Sequence, residues 1–185
     1  MRILRKVATL VDALNDRLGL VIRWMALAMV LIGAAGAVLR YFSRGMGWAL
    51  NLTPAIEVQW YLFSVIFLMG AAYGLHHDVH VRVDVMYERL SKKGRAWIDL
   101  LGTILFLVPF SFLMLYVSYP AVRASFAVRE TSPDPGGLPR WPIKALIIVS
   151  FVLLLLQAVS QLVKQIDVIR GRAESEFEAE PEVHV

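Results

Sequence analysis

Four stretches of the 185-residue chain stay apolar for about twenty residues each, the length a helix needs to cross a hydrocarbon core of ~30 Å. They cover residues 20–41, 57–75, 97–119 and 143–163. Inside a bilayer each backbone N–H and C=O must be satisfied without water, so runs of this length resolve to helices. The sequence therefore predicts an all-α integral membrane protein with four transmembrane helices and a membrane domain over 20–165. Composition agrees, with 58% hydrophobic residues and a mean hydropathy of +0.61, against about 45–50% apolar residues in soluble domains.

The net charge of +4 and the pI near 9.6 raise nucleic acid as a partner, and the placement of the charges argues against it. Lysine and arginine lie outside the apolar runs or near their ends, as Arg23, Arg40 and Lys144 do, with none of the usual nucleic-acid-binding motifs. Twelve of them flank one side: Arg2, Arg5, Lys6 and Arg17 before span one, Arg82, Arg89, Lys92, Lys93 and Arg95 after span two, and Lys164, Arg170 and Arg172 after span four. The other side has Arg44 in the first loop and Arg123, Arg129 and Arg140 around the third. The positive-inside rule then puts both termini in the cytoplasm. The small run Ala34-Ala35-Gly36-Ala37 is not read as a signal cleavage site, because the apolar run before it is too long and extends past it.

Outside the spans, residues 1–19 place Ile3, Leu4, Val7, Leu10, Val11, Leu14 and Leu18 at spacings of three and four, with charged and polar residues between them. That pattern predicts an amphipathic interfacial helix lying on the cytoplasmic leaflet. A shorter one, horizontal on the same side, is expected over 85–95. Residues 171–185 are glutamate-rich with few apolar groups and read as a disordered acidic tail.

The stretch LHHDVHVRVDV at 75–85 is the most chemically dense part of the chain. His76 and His80 are four apart, the spacing of helical zinc pairs, yet residues 79–85 alternate with period two as extended chain does. Both cannot hold together, so the stretch is read as a polar exit from the bilayer and no metal or cofactor is expected. The chain has no cysteine, hence no disulfide, thiolate zinc site or cysteine nucleophile. A haem-binding, electron-transfer four-helix subunit is the main rival reading, and it lacks histidines on facing helices. Ser64, Thr103, Ser111, Gln157 and Gln161 are scattered through the spans, and no nucleophile is paired with a base. Catalysis is not expected.

Several residues read as contact or structural positions. Glu57 and Arg40 sit at the ends of adjacent spans and are expected to form an ion pair. Gly70, Ala71, Ala72 and Gly74 would allow close helix approach. Pro109 should bend span three, because it removes a hydrogen bond to the Leu105 carbonyl, and Asp99 sits at the interface two residues past Trp97. The loop TSPDPGGLPRWP at 131–142 has four prolines and two glycines, which favours an ordered cap, a partner contact, or both.

Glu57-x-Gln59-Trp60-Tyr61-Leu62-Phe63, Gly70-Ala71-Ala72-Tyr73, His80-Val81-Arg82-Val83-Asp84-Val85 and Trp97-x-Asp99-Leu100 resemble the small, DctQ-type membrane subunit of tripartite ATP-independent periplasmic (TRAP) transporters. The resemblance covers roughly residues 10–165, and the loop at 132–144 is similar to a mannitol/chloroaromatic or 2-oxo-acid subfamily. It implies a non-catalytic permease subunit in the bacterial inner membrane, bracing a large membrane subunit for sodium-coupled uptake of organic acids. A periplasmic substrate-binding protein and membrane lipids would be the other partners. On this resemblance Glu57, Gln59, Trp60, Gly70, Gly74, Arg82, Asp84, Asp99 and Pro109 are expected at the large-subunit interface or in structural roles. Arg44, Arg129, Asp134 and Arg140 are expected to meet the binding protein.

Overall fold

The computed structural model describes residues 2–48, 50–77, 79 and 90–171. Asp78, His80, Arg82, Asp84, the first five residues (85–89) of the segment expected to be a horizontal helix, and the acidic tail beyond Gly171 lie outside the described residues. Among the described residues four helices make up the fold: α1 (Arg2–Met46), α2 (Thr53–His76), α3 (Lys92–Ala127) and α4 (Trp141–Ile169). All four are long and apolar enough to cross a membrane. Each expected run lies within one of them, and the described residues contain no strand, only an isolated bridge between Thr131 and Pro139.

The last helix is the centre of the bundle. α4 packs against each of the other three, and α1 also packs against α2. What α4 buries is largely polar: among the described residues the biggest fully buried side chains are Gln157, Asn15, Ser111 and Ser160. Trp24, Phe67, Phe106 and Tyr116 instead point outward and are mostly exposed. This inverts the order of a water-soluble protein, because lipid removes the drive to hide apolar groups while polar side chains must find partners inside.

The inversion corrects the expectation for residues 1–19. They do not form a separate helix lying flat on the leaflet, since α1 is unbroken from Arg2 to Met46 and about 67 Å long at 1.5 Å per residue. Its polar face turns inward onto α4: Ala8, Val11 and Asn15 are buried, whereas Ile3, Leu10 and Leu14 are exposed. The physical reason is that Asp12 and Asn15 find hydrogen-bonding partners on α4, which holds this stretch against the bundle.

α3 bears on two further expectations. Ser91 caps its start by accepting a hydrogen bond from the Gly94 N–H, so residues 92–95 are its first turn and do not belong to a separate horizontal helix. Pro109 follows a five-residue π segment, Thr103–Leu107, in which the Val108 N–H reaches back to the Thr103 carbonyl. The wider turn accommodates the proline ring, and the helix continues to Ala127 through a second proline, Pro120.

Candidate functional site

Two polar constellations stand at opposite ends of α2. The first fastens the third loop to the start of α2. Glu57, in the second turn, is buried, and its carboxylate accepts from the Ser132 hydroxyl and from the Leu138 N–H. The Arg140 guanidinium adds a favourable charge nearby, donating to the Ser132 hydroxyl at 3.4 Å. Glu57 therefore does not pair with Arg40, which is exposed. Its partners come from a loop some eighty residues later, because a buried carboxylate is better satisfied by several donors at fixed positions than by one flexible guanidinium.

The loop is ordered by its own bonds as well. The Ser132 N–H donates to the Leu138 carbonyl at 3.0 Å, Gly137 N–H to Asp134 at 3.0 Å, and Arg140 N–H to Glu130 at 2.8 Å. Gly136 takes φ +76° at the tip, a conformation that a side chain would strain. Tyr61 donates its hydroxyl to the Pro139 carbonyl at 2.8 Å, Asn51 of the first loop donates to Pro135 at 3.0 Å, and Phe126 meets Trp141 edge-on at 5.0 Å. Lys144 pairs with Glu130, and that ammonium holds the Glu130 carboxyl below its ordinary value. Of the residues expected to meet a binding protein, Arg44, Arg129 and Asp134 are exposed, whereas Arg140 is half-buried and engaged within the loop. Arg129 sits at φ 47° in the turn after α3, left-handed backbone that costs a non-glycine residue about 1–2 kcal/mol.

At the other end of α2, α1 and α4 share a network that the sequence reading did not find. Asn15 donates to Gln157 at 2.6 Å. Asp12 accepts from Ser160 at 2.8 Å and Gln157 at 3.1 Å, and pairs with Lys164 at 2.7 Å. Arg5 pairs with Asp167 at 2.7 Å. His76 and His77, at the C-terminal end of α2, face Asp12 and Asp16. The available signal was a polar spacing of three and four on both helices: Asp12, Asn15 and Asp16 on one, Gln157, Ser160, Gln161 and Lys164 on the other. On the first, the helix that carries that face was expected to lie on the cytoplasmic leaflet.

The remaining expected positions divide between inside and outside. Gln59 donates to the Met29 carbonyl of α1 at 3.4 Å, and Asp99 accepts from Gln165 of α4 at 3.4 Å, so both serve the bundle itself. Trp60 is exposed. Gly74 is buried, but a side chain at Gly70 would meet open space; the close approach instead occurs at Gly19 of α1, where the Tyr73 ring occupies the volume a Cβ would need. The two described histidines share one helix end, so no pair on facing helices is available to sandwich a haem among the described residues.

Fold and sites together describe a four-span membrane protein whose polar side chains fasten helices and a loop to one another. The family model described as "Tripartite ATP-independent periplasmic transporters, DctQ component" matches residues 29–168. The chain belongs to this family of transporter components. No curated protein and no solved structure shows a significant match.

Proposed function

We propose that the chain is the small permease subunit of a TRAP transporter, that it carries out no chemistry of its own, and that it braces a large membrane subunit through its lipid-facing helices. The observation that carries this reading is the inverted bundle: polar groups are consumed inside, and aromatic side chains are left outside. On α2, Trp60, Phe63 and Phe67 follow spacings of three and four and are all more than half exposed, with the two phenylalanine rings stacked at 6.2 Å. Such a stripe suits packing against another helix. The fastened third loop, with Arg129 and Asp134 exposed on it, and Arg44 in the last turn of α1 make the surface offered to a periplasmic substrate-binding protein.

In this reading both termini are cytoplasmic, as the lysine and arginine distribution supports, and the membrane is the bacterial inner membrane. The transport served is sodium-coupled uptake of organic acids: the family resemblance supports the sodium coupling, and the likeness of the 132–144 loop supports the substrate class. Coexpression with the large subunit tests the core of the reading. Mild-detergent purification should recover the two together, and Trp60→Glu with Phe67→Glu should separate them while leaving each in the membrane. Recovery of the chain alone from cells that contain the large subunit would overturn it. With no native cysteine in the chain, single cysteines placed at Thr9 and Asp134 report orientation directly by impermeant labelling; the first should be protected in intact cells and the second labelled.

A further inference from the structure

We propose that Asp16, His76 and His77 bind a divalent transition-metal ion of the zinc class, which clasps α1 to the end of α2. One ligand atom from each residue lies within 4.8 Å of the others. Asp16 Oδ1 is 2.9 Å from His77 Nε2 and 3.4 Å from His76 Nε2. Ligands at 2.0–2.1 Å from a tetrahedral zinc ion stand about 3.3 Å from one another, so the spacing needs little adjustment to admit the ion. Two imidazoles and a carboxylate suit zinc and its neighbours in the first transition row better than calcium or magnesium.

Neighbouring side chains on a helix diverge by about 100°, yet the rings of His76 and His77 lie 4.6 Å apart and converge on one carboxylate. The end of α2 makes this possible: His77 is its C-cap, at φ −93° and ψ 10°, and Tyr73 backs the His77 ring at 4.4 Å. The outer nitrogen of His76 has the support a metal-bound imidazole requires. Its Nδ1 lies 3.2 Å from Asp12 Oδ1, a carboxylate already fixed by Lys164, Ser160 and Gln157. With the Nδ1–H given to Asp12, the Nε2 lone pair faces Asp16. The Gln157 amide nitrogen is 3.4 Å from the same Nδ1 and closer to Asp12, at 3.1 Å. Asp16 and His77 are half exposed, leaving a path for the ion and an open coordination position. The trio differs from the His76 and His80 pair along the chain, because it uses His77 and takes its carboxylate from α1.

The test uses the untagged 185-residue chain in nanodiscs, stripped with chelator and titrated with cobalt(II). One equivalent should give a visible d–d band that zinc(II) displaces. Asp16→Asn and His77→Gln should each weaken binding more than about 100-fold, beyond the 10–100-fold typical of a lost supporting carboxylate and expected for Asp12→Asn; His184→Gln should change nothing. X-ray absorption on the zinc-loaded unsubstituted chain reads the ligands directly and should show two imidazoles. No cobalt band, a band that survives both Asp16→Asn and His77→Gln, or a zinc shell without imidazole would each overturn the proposal, leaving a cluster in which the two histidines pack on Asp16 without an ion.

Discussion

Asn15 and Gln157, on the first and last helices, meet amide to amide at 2.6 Å with both side chains fully buried. Replacing Gln157 with leucine keeps the volume and strands the Asn15 amide and one acceptor site of Asp12. Leaving buried polar groups without partners costs about 1–3 kcal/mol. Reversible unfolding in micelles should show that loss, and the double variant Asn15→Leu/Gln157→Leu should lose less than the sum of the singles. Strict additivity would mean that the two amides do not interact.

The Glu57 carboxylate is the peg on which the third loop hangs. Glu57→Ala should free the Leu138 amide, whose hydrogen exchange should accelerate by about tenfold or more given the strength of charge-assisted bonds. Ser132→Ala should have a smaller effect in the same direction. Arg40→Ala should leave exchange at Leu138 unchanged, since Arg40 takes no part in the contact.

Acid should loosen the same loop by a second route. Lys144 lowers the Glu130 carboxyl from its ordinary value of 4.5, so this contribution to stability is complete above that value and is lost as pH falls through the lower, folded one. Carboxyl carbon NMR should place the Glu130 midpoint below 4.5 and move it up in Lys144→Met. Pepsin cleavage within 131–140 should accordingly begin at a higher pH in the variant. An unshifted midpoint would show that the pairing does not hold in solution.

Glycines on adjacent helices should respond oppositely to the same change. Gly19→Ala forces the Tyr73 ring to move, and overpacking of this kind costs about 1–3 kcal/mol. Gly70→Ala meets open space and should be neutral or stabilising by up to about 1 kcal/mol, because alanine loses less entropy in a helix. Thermal denaturation of the two variants side by side decides it; equal losses would contradict the packing at Gly19.

The spans were legible because hydropathy measures each residue against lipid, and the four apolar runs fell inside the four helices. Pairings between residues were not, since Asp12 and Asn15 read identically whether they face headgroups or Gln157 and Ser160. Glu57 was assigned to Arg40 because both stand at span ends. Its actual donors, a hydroxyl and a backbone N–H from one loop, leave no signature in charge placement. Pro109 was legible as a perturbation, but the π segment that accommodates it depends on backbone geometry that residue types do not specify.

The contact between Asn15 and Gln157 closes over 142 positions of chain, and Asp12 waits as long for Ser160 and Lys164. During synthesis the first helix must therefore wait with the Asn15 amide short of its Gln157 partner, and with Asp12 facing only His76 of α2, until the last helix arrives. The newborn chain is least secured in that interval, when α1 and α2 are made and the polar face of α1 stays open until the final span emerges.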